Sequence, residues 1–233
     1  MRNVMTFAFV LVAASSAYAT TPTAPPDKFT VDIVQVIGSG CGTPADYSVS
    51  ISPDRTAFTI GYANYAVYNG KYVDAHGNTR VHALADNRKN CQVITKVNAP
   101  TGLTYGIAEV DMRGYMSLRP SANPVAKIQL WFQGMSPTAV MAHTLRDEAI
   151  DFFGMPTVYP LGTDTDDFVN WQTTDTTPIG AIVFNPCGAT RNLVANTQLQ
   201  LNSNPTEDES VAGADALDGS IQTVVHFAWA TCP

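Results

Sequence analysis

The chain is short of charge. Lys, Arg, Asp and Glu make up 14% of its 233 residues, against about a quarter in ordinary soluble domains, and the balance is acidic, with 13 basic and 20 acidic side chains. Without a basic footprint nucleic acid is not an expected partner, and anionic membrane surfaces are disfavoured by the same repulsion. Several motifs are missing as well. There is no C-x2-C pair for zinc, no H-E-x-x-H, no phosphate-binding or dinucleotide loop and no G-x-S-x-G elbow. Asn204 precedes Pro205, so no usable N-glycosylation sequon occurs. Beyond the N-terminal segment no apolar run approaches the roughly 20 residues of a membrane-spanning helix, and no transmembrane anchor is expected. These absences leave no catalytic signature and no expected cofactor, and a non-enzyme is favoured.

What is present starts with Arg2, followed by twelve apolar or small residues, Thr6 to Ala17, and by Ala17-Tyr18-Ala19. A positive charge, a short apolar run and small residues at A-x-A positions read as a secretory signal peptide over 1–19. The protein is then expected outside the cytoplasm, extracellular or periplasmic. Residues 20–28, rich in proline, read as a flexible leader unable to pair in a sheet, and 29–233 as a single β-sandwich domain. Cys41, Cys91, Cys187 and Cys232 are even in number, which in an oxidising compartment predicts two disulfides. Of three possible pairings, Cys41 with Cys91 and Cys187 with Cys232 is favoured. Each bridge would then close a loop of about 50 residues, worth roughly 4 kcal/mol by chain entropy.

The dominant period along the chain is two. Phe29 to Val36, Tyr47 to Ile51 and Thr197 to Leu201 alternate apolar and polar residues, as half-buried strands do. Near the C-terminus Ile221, Val225, Phe227 and Trp229 share one face, with Gln222, Val224 and His226 on the other. Further strands are expected at Ala57 to Tyr62, Gln92 to Val97, Leu103 to Val110, Tyr115 to Leu118, Lys127 to Phe132 and Ile179 to Phe184. Turn signals such as Ser52-Pro53-Asp54, Asn69-Gly70 and Pro100-Thr101-Gly102 separate them. The pattern predicts an all-β fold, a two-sheet antiparallel β-sandwich of jelly-roll type. Ala139 to Phe153 admits a short helix, and the acidic stretch Asn202 to Gly219 reads as a long surface loop.

Landmarks follow one another in a fixed order: Gly38-Ser39-Gly40-Cys41-Gly42-Thr43-Pro44, Arg88-Lys89-Asn90-Cys91-Gln92, Asp111-Met112-Arg113-Gly114-Tyr115, Asn185-Pro186-Cys187-Gly188 and Trp229-Ala230-Thr231-Cys232. From about Gly38 onward this succession resembles the secreted β-rich family known as domain of unknown function 4360. Gly42 departs from the resemblance, since the family commonly has proline directly after the first cysteine. The resemblance implies a secreted sandwich with paired cysteines and brings no activity with it.

Three groups of residues are candidate sites. Tyr62, Tyr68 and Tyr72 lie an even number of positions apart and could form an aromatic ligand platform on one strand face, although tyrosines also pack cross-strand. Arg88, Asn90, Asp111 and Arg113 would meet as a polar cluster if the strands flanking Pro100-Thr101-Gly102 formed a hairpin. Asp164, Asp166 and Asp167 are a weak calcium candidate that lacks the glycine and terminal glutamate of an EF-hand. His76, His82, His143 and His226 occur singly and are assigned no role. The resulting expectation is an extracellular or cell-surface interaction module, with a glycan or cell-envelope component as partner and an unspecified oligomeric state. The alternative is a secreted hydrolase with a carboxylate-based site.

Overall fold

The computed structural model describes residues 21–136, 139–151, 154–165, 168–214 and 222–233. The proposed signal segment lies outside them. Among the described residues the strands are, in chain order, β1 (Thr21–Thr23), β2 (Thr30–Ile37), β3 (Tyr47–Ile51), β4 (Ala57–Tyr62), β5 (Ala66–Asn69), β6 (Lys71–Val73), β7 (Thr79–Val81), β8 (Arg88–Asn98), β9 (Leu103–Ser117), β10 (Asn123–Phe132), β11 (Ala139–Thr144), β12 (Ala149–Ile150), β13 (Pro156–Thr157), β14 (Val169–Thr176), β15 (Leu193–Asn202), β16 (Ser210–Gly213) and β17 (Thr223–Thr231).

They form an antiparallel two-sheet sandwich. The larger sheet runs β13-β12-β14-β9-β17-β4-β3, with β1 added to β17 and the β5–β16 pair added to β9. The smaller runs β11-β10-β15-β8-β2, and β6 and β7 form a separate ribbon. Alternation does the sorting: β10 buries every second residue, ending Ala126, Ile128, Leu130 and Phe132, and the next two strands of the sheet, β15 and β8, turn Leu199, Leu201 and Val93 to the same side. Against them the larger sheet packs Phe58, Ile60, Tyr105, Val225, Phe227 and Trp229. Tyr105 meets Phe132 across the sheets edge to face, with centroids 5.4 Å apart, the arrangement that ring quadrupoles favour.

Both bridges take the favoured pairing, Cys41–Cys91 and Cys187–Cys232. The first is buried in the core and the second has an exposed member, Cys187.

The structure departs from the sequence reading at several points. Thr21–Thr23 of the proline-rich leader does pair, with Pro22 opposite Ala230, because an edge strand tolerates a residue without a donor. Within Ala139 to Phe153, the described residues up to Asp151 form β11, a single 3₁₀ turn at Leu145–Asp147 and β12 in place of a helix, Phe152 and Phe153 lying outside them. Ile179 to Phe184 is a 3₁₀ turn and an isolated bridge, since Pro178 and Gly180 interrupt any ladder. Within Asn202 to Gly219 the small residues Ser210 to Gly213 form a fully buried strand, slotted between β5 and β9.

Gly114 shows why the middle of β9 needs glycine. It lies opposite Trp171 of β14, whose indole N–H donates to the carbonyls of Tyr115 and Gly213 at 3.1 and 3.2 Å. A Cβ at Gly114 would stand 1.9 Å from the Gly213 oxygen and 2.7 Å from the indole. Gly114→Ala is therefore expected to destabilise the fold by about 1–3 kcal/mol or more, read from denaturant midpoints. Mild reductant should open Cys187–Cys232 before Cys41–Cys91, because burial shields the latter from an attacking thiolate; timed alkylation and peptide mapping would show the order.

Candidate functional site

The outer face of the larger sheet is shaped by one irregularity in β9. Tyr105 and Ile107 point into the core, as do Val110 and Met112, so the alternation slips by one residue between them. The slip is a β-bulge: His226 of β17 pairs with Glu109 while Phe227 pairs with Ile107, leaving Ala108 extra. Past it, Glu109, Asp111, Arg113 and Tyr115 share the outer face with Thr174 and Thr176 of β14, which stand opposite Asp111 and Glu109.

A histidine–carboxylate group results. His226 Nε2 lies 2.8 Å from Asp111 Oδ2 and 3.8 Å from Glu109 Oε1. The second oxygen of each carboxylate accepts from a threonine, Asp111 Oδ1 from Thr174 at 2.6 Å and Glu109 Oε2 from Thr176 at 2.9 Å. Beside Glu109 opens a groove of about 400 Å³, walled by Pro22, Pro25, Ile179, Ile182 and Phe184. At the far margin of the face the Tyr115 and Phe168 rings pack 5.6 Å apart, and Phe168 is half exposed.

The residues singled out from the sequence are distributed differently from the expectation. Tyr62 is in the core, its hydroxyl 3.3 Å from those of Thr197 and Thr223, and burial pushes its phenol above the ordinary value. The three-ring row does not form, because the bend between β4 and β5 breaks even-number counting. Tyr68 and Tyr72 instead stack on His82, with centroids at 5.3 and 4.4 Å, and His82 Nε2 lies 2.5 Å from Glu209. The polar cluster does not assemble either. The chain crosses between sheets at Pro100-Thr101-Gly102, so β8 and β9 do not form a hairpin. Arg88 and Asn90 belong to the smaller sheet, where Asn90 is bonded to Ser39, while Asp111 and Arg113 face outward from the larger. Asp164 lies 3.9 Å from Arg119; Asp166 and Asp167 are outside the described residues.

His143 was also missed. It projects inward from β11 of the smaller sheet, its Nε2 lying 2.6 Å from Asp175 on β14 of the larger and its Nδ1 2.9 Å from Glu148. The pair clamps the two sheets together along one side. Histidines taken singly carry no signal for this; only the packing of one sheet on the other does.

Comparison with known proteins places the chain. The family model described as Domain of unknown function (DUF4360) matches residues 27–232. The chain belongs to that family. A protein of Arthroderma benhamiae (strain ATCC MYA-4681 / CBS 112371), named "Uncharacterized secreted protein", is 28% identical over 209 residues, covering 89% of this chain and 74% of its own. Among solved structures, the enzymatically active domain of tailspike protein 4 of bacteriophage CBA120 aligns over 88% of this chain and 20% of its own, with 10% identity and a TM-score of 0.26. TmCBM61 in complex with β-1,4-galactotriose aligns over 90% and 92%, with 7% identity and a TM-score of 0.23. At such scores neither likeness bears on function. This DUF4360 protein is secreted, in keeping with its two disulfides, and among the described residues no helix is long and apolar enough to cross a membrane.

The His143 clamp has a pH signature. Partial burial pulls the ring's pKa down, and the hydrogen bonds and charges of Asp175 and Glu148 outweigh it, leaving the value raised. A raised histidine contributes stability that is complete below its unfolded value of about 6.5 and is lost as pH climbs through the folded value. Melting temperature should therefore decline over that window in the native protein, and His143→Gln should flatten the decline; parallel profiles for the two would count against the clamp.

Proposed function

We propose that this secreted protein is an extracellular interaction module that engages a neutral glycan or similar cell-envelope polymer through the outer face of its larger sheet. The carrying observation is the make-up of that face. Ser48, Ser50 and Thr59 on β3 and β4 line the outer side at one end of the face, and Asn170, Gln172 and Thr174 on β14 at the other, with the histidine–carboxylate group of β9 and β17 between them. Hydroxyls and amides both donate and accept, which suits a polyhydroxylated partner that carries no charge. The Tyr115–Phe168 pair adds an apolar ring surface at one margin, of the kind that packs against the C–H side of a sugar. A second hollow, about 300 Å³, extends the face over Ser48, Ser50, Thr59 and Gln222.

A hydrolase is the second reading, favoured by Glu109 and Asp111 standing together beside the 400 Å³ groove. Retaining glycoside hydrolysis uses a pair of carboxylates about 5–5.5 Å apart.

Oxidised protein incubated with insoluble polysaccharides and isolated cell envelopes should be retained on one polymer, and retention should fall at least about tenfold, roughly 1.4 kcal/mol, in the Phe168→Ala, Gln172→Ala double variant with its melting temperature kept. Absence of retention on every polymer would sink the module reading. Release of reducing ends in the same incubations, abolished by Asp111→Asn, would replace it with the hydrolase.

A further inference from the structure

We propose that Glu109, Asp111 and His226 are the protein ligands of a divalent transition-metal site, with Zn²⁺ or Mn²⁺ as occupant. One ligand atom from each, Glu109 Oε1, Asp111 Oδ2 and His226 Nε2, lie within 4.8 Å of one another. All three side chains are between 17% and 34% exposed, so a cation can enter and keep positions open to water or a further ligand.

The donor set chooses the metal. Calcium and magnesium take oxygen ligands almost exclusively, whereas one imidazole nitrogen with two carboxylate oxygens suits Zn²⁺ or Mn²⁺. A cation of charge two would match two carboxylates and a neutral imidazole. Arg113 follows Asp111 by two residues on the same face and is not among the ligand atoms.

The surroundings prepare the ligands. Thr174 and Thr176 hold the rear oxygen of each carboxylate, leaving the front oxygen turned towards the ring. Contacts of this second-layer kind orient metal ligands and are worth about 10–100-fold in affinity. Bonds of about 2.0–2.1 Å in a tetrahedral site set neighbouring ligand atoms near 3.4 Å apart. The 3.8 Å spacing of Nε2 and Oε1 already allows this, and the 2.8 Å hydrogen bond of Nε2 to Asp111 must open by roughly 0.6 Å as the metal replaces its proton. The strands lend stiffness, since β17 is paired with β9 along its whole length, from Thr223 to Thr231.

The site stands independently of polymer binding, and its test uses the metal alone. Chelator-treated oxidised protein would be titrated calorimetrically with ZnCl₂, MnCl₂ and CaCl₂ without polymer. One equivalent of Zn²⁺ or Mn²⁺ should bind and Ca²⁺ at least about tenfold more weakly. His226→Ala and Glu109→Gln should each weaken the transition metal at least tenfold, the Thr174→Val, Thr176→Val double variant about tenfold, and His76→Ala, in an exposed turn, should leave it unchanged. Melting curves of the metal-free variants would establish that they fold. No saturable one-to-one binding of either metal, or binding undiminished in His226→Ala, would overturn the assignment.

Discussion

The extra residue in β9 governs what both faces of the larger sheet present. A strand with unbroken alternation could bury Tyr105 and Ile107, or Val110 and Met112, but not both pairs, because a one-residue offset exchanges the two faces. The bulge at Ala108 absorbs that offset, so one strand of 15 residues fills the core along its whole length. It also brings Glu109 to the outer side, next to Asp111 and opposite His226. The chemistry on the face is thus a by-product of filling the core from both halves of one strand, and bulges are commonly found where a side chain must be re-aimed.

A second constraint lies at the other edge of the sandwich. Arg146 is buried, and its guanidinium donates to the carbonyls of Ala122, Arg119, Pro120, Tyr159, Pro160 and Thr163 at 2.6–3.4 Å. Carbonyls in connecting segments have no ladder to join, and leaving them buried without donors would be costly. The planar fork supplies five N–H groups at fixed angles, which a lysine cannot. Burying a cation without a carboxylate in direct contact is expensive, and the ring of carbonyl dipoles offsets that cost. A chain this poor in charge therefore uses one of its few arginines on two loops, and two of its four histidines, His143 and His226, to reach carboxylates on other strands.

The sequence disclosed a good part of this and could not disclose the rest. Period two located most strands, and the two disulfides followed from the order of the cysteines, since loops closed within each half need no knowledge of the sheets. The polar cluster of Arg88, Asn90, Asp111 and Arg113 depends on a hairpin across Pro100-Thr101-Gly102, and a short turn commonly joins partner strands; in a sandwich the same turn can also pass from one sheet to the other, and local residues do not distinguish the two. The row of Tyr62, Tyr68 and Tyr72 failed because parity counts hold only within one unbroken strand. For the bulge the signal was present: apolar residues at odd positions through Ile107 and at even positions from Val110 mark a slip in period. Nothing comparable pointed to His226 or His143, whose carboxylate partners Asp111 and Asp175 lie 115 and 32 residues away and meet them only through sheet pairing and sheet packing.

The groove beside the histidine–carboxylate group ties these constraints together. Its wall, Ile179 to Phe184, is held against the part of β9 before the bulge, by the bridge of Phe184 to Gly106 and by the Asn185 N–H donating to the Tyr105 carbonyl at 2.8 Å. Gly106 makes that approach possible, since a Cβ there would stand 2.5 Å from Ile182 and 2.9 Å from the Val183 oxygen. Cys187, two residues beyond Asn185, anchors the same segment to Cys232 at the end of the sandwich. The wall therefore rests on one half of β9 and the carboxylates on the other, with Ala108 as the joint between them. Groups fixed in this way lose little freedom when a ligand arrives, so more of the contact energy is left for binding. An exposed disulfide then matters beyond stability, because opening it would loosen the wall while leaving the carboxylates and their threonines in place.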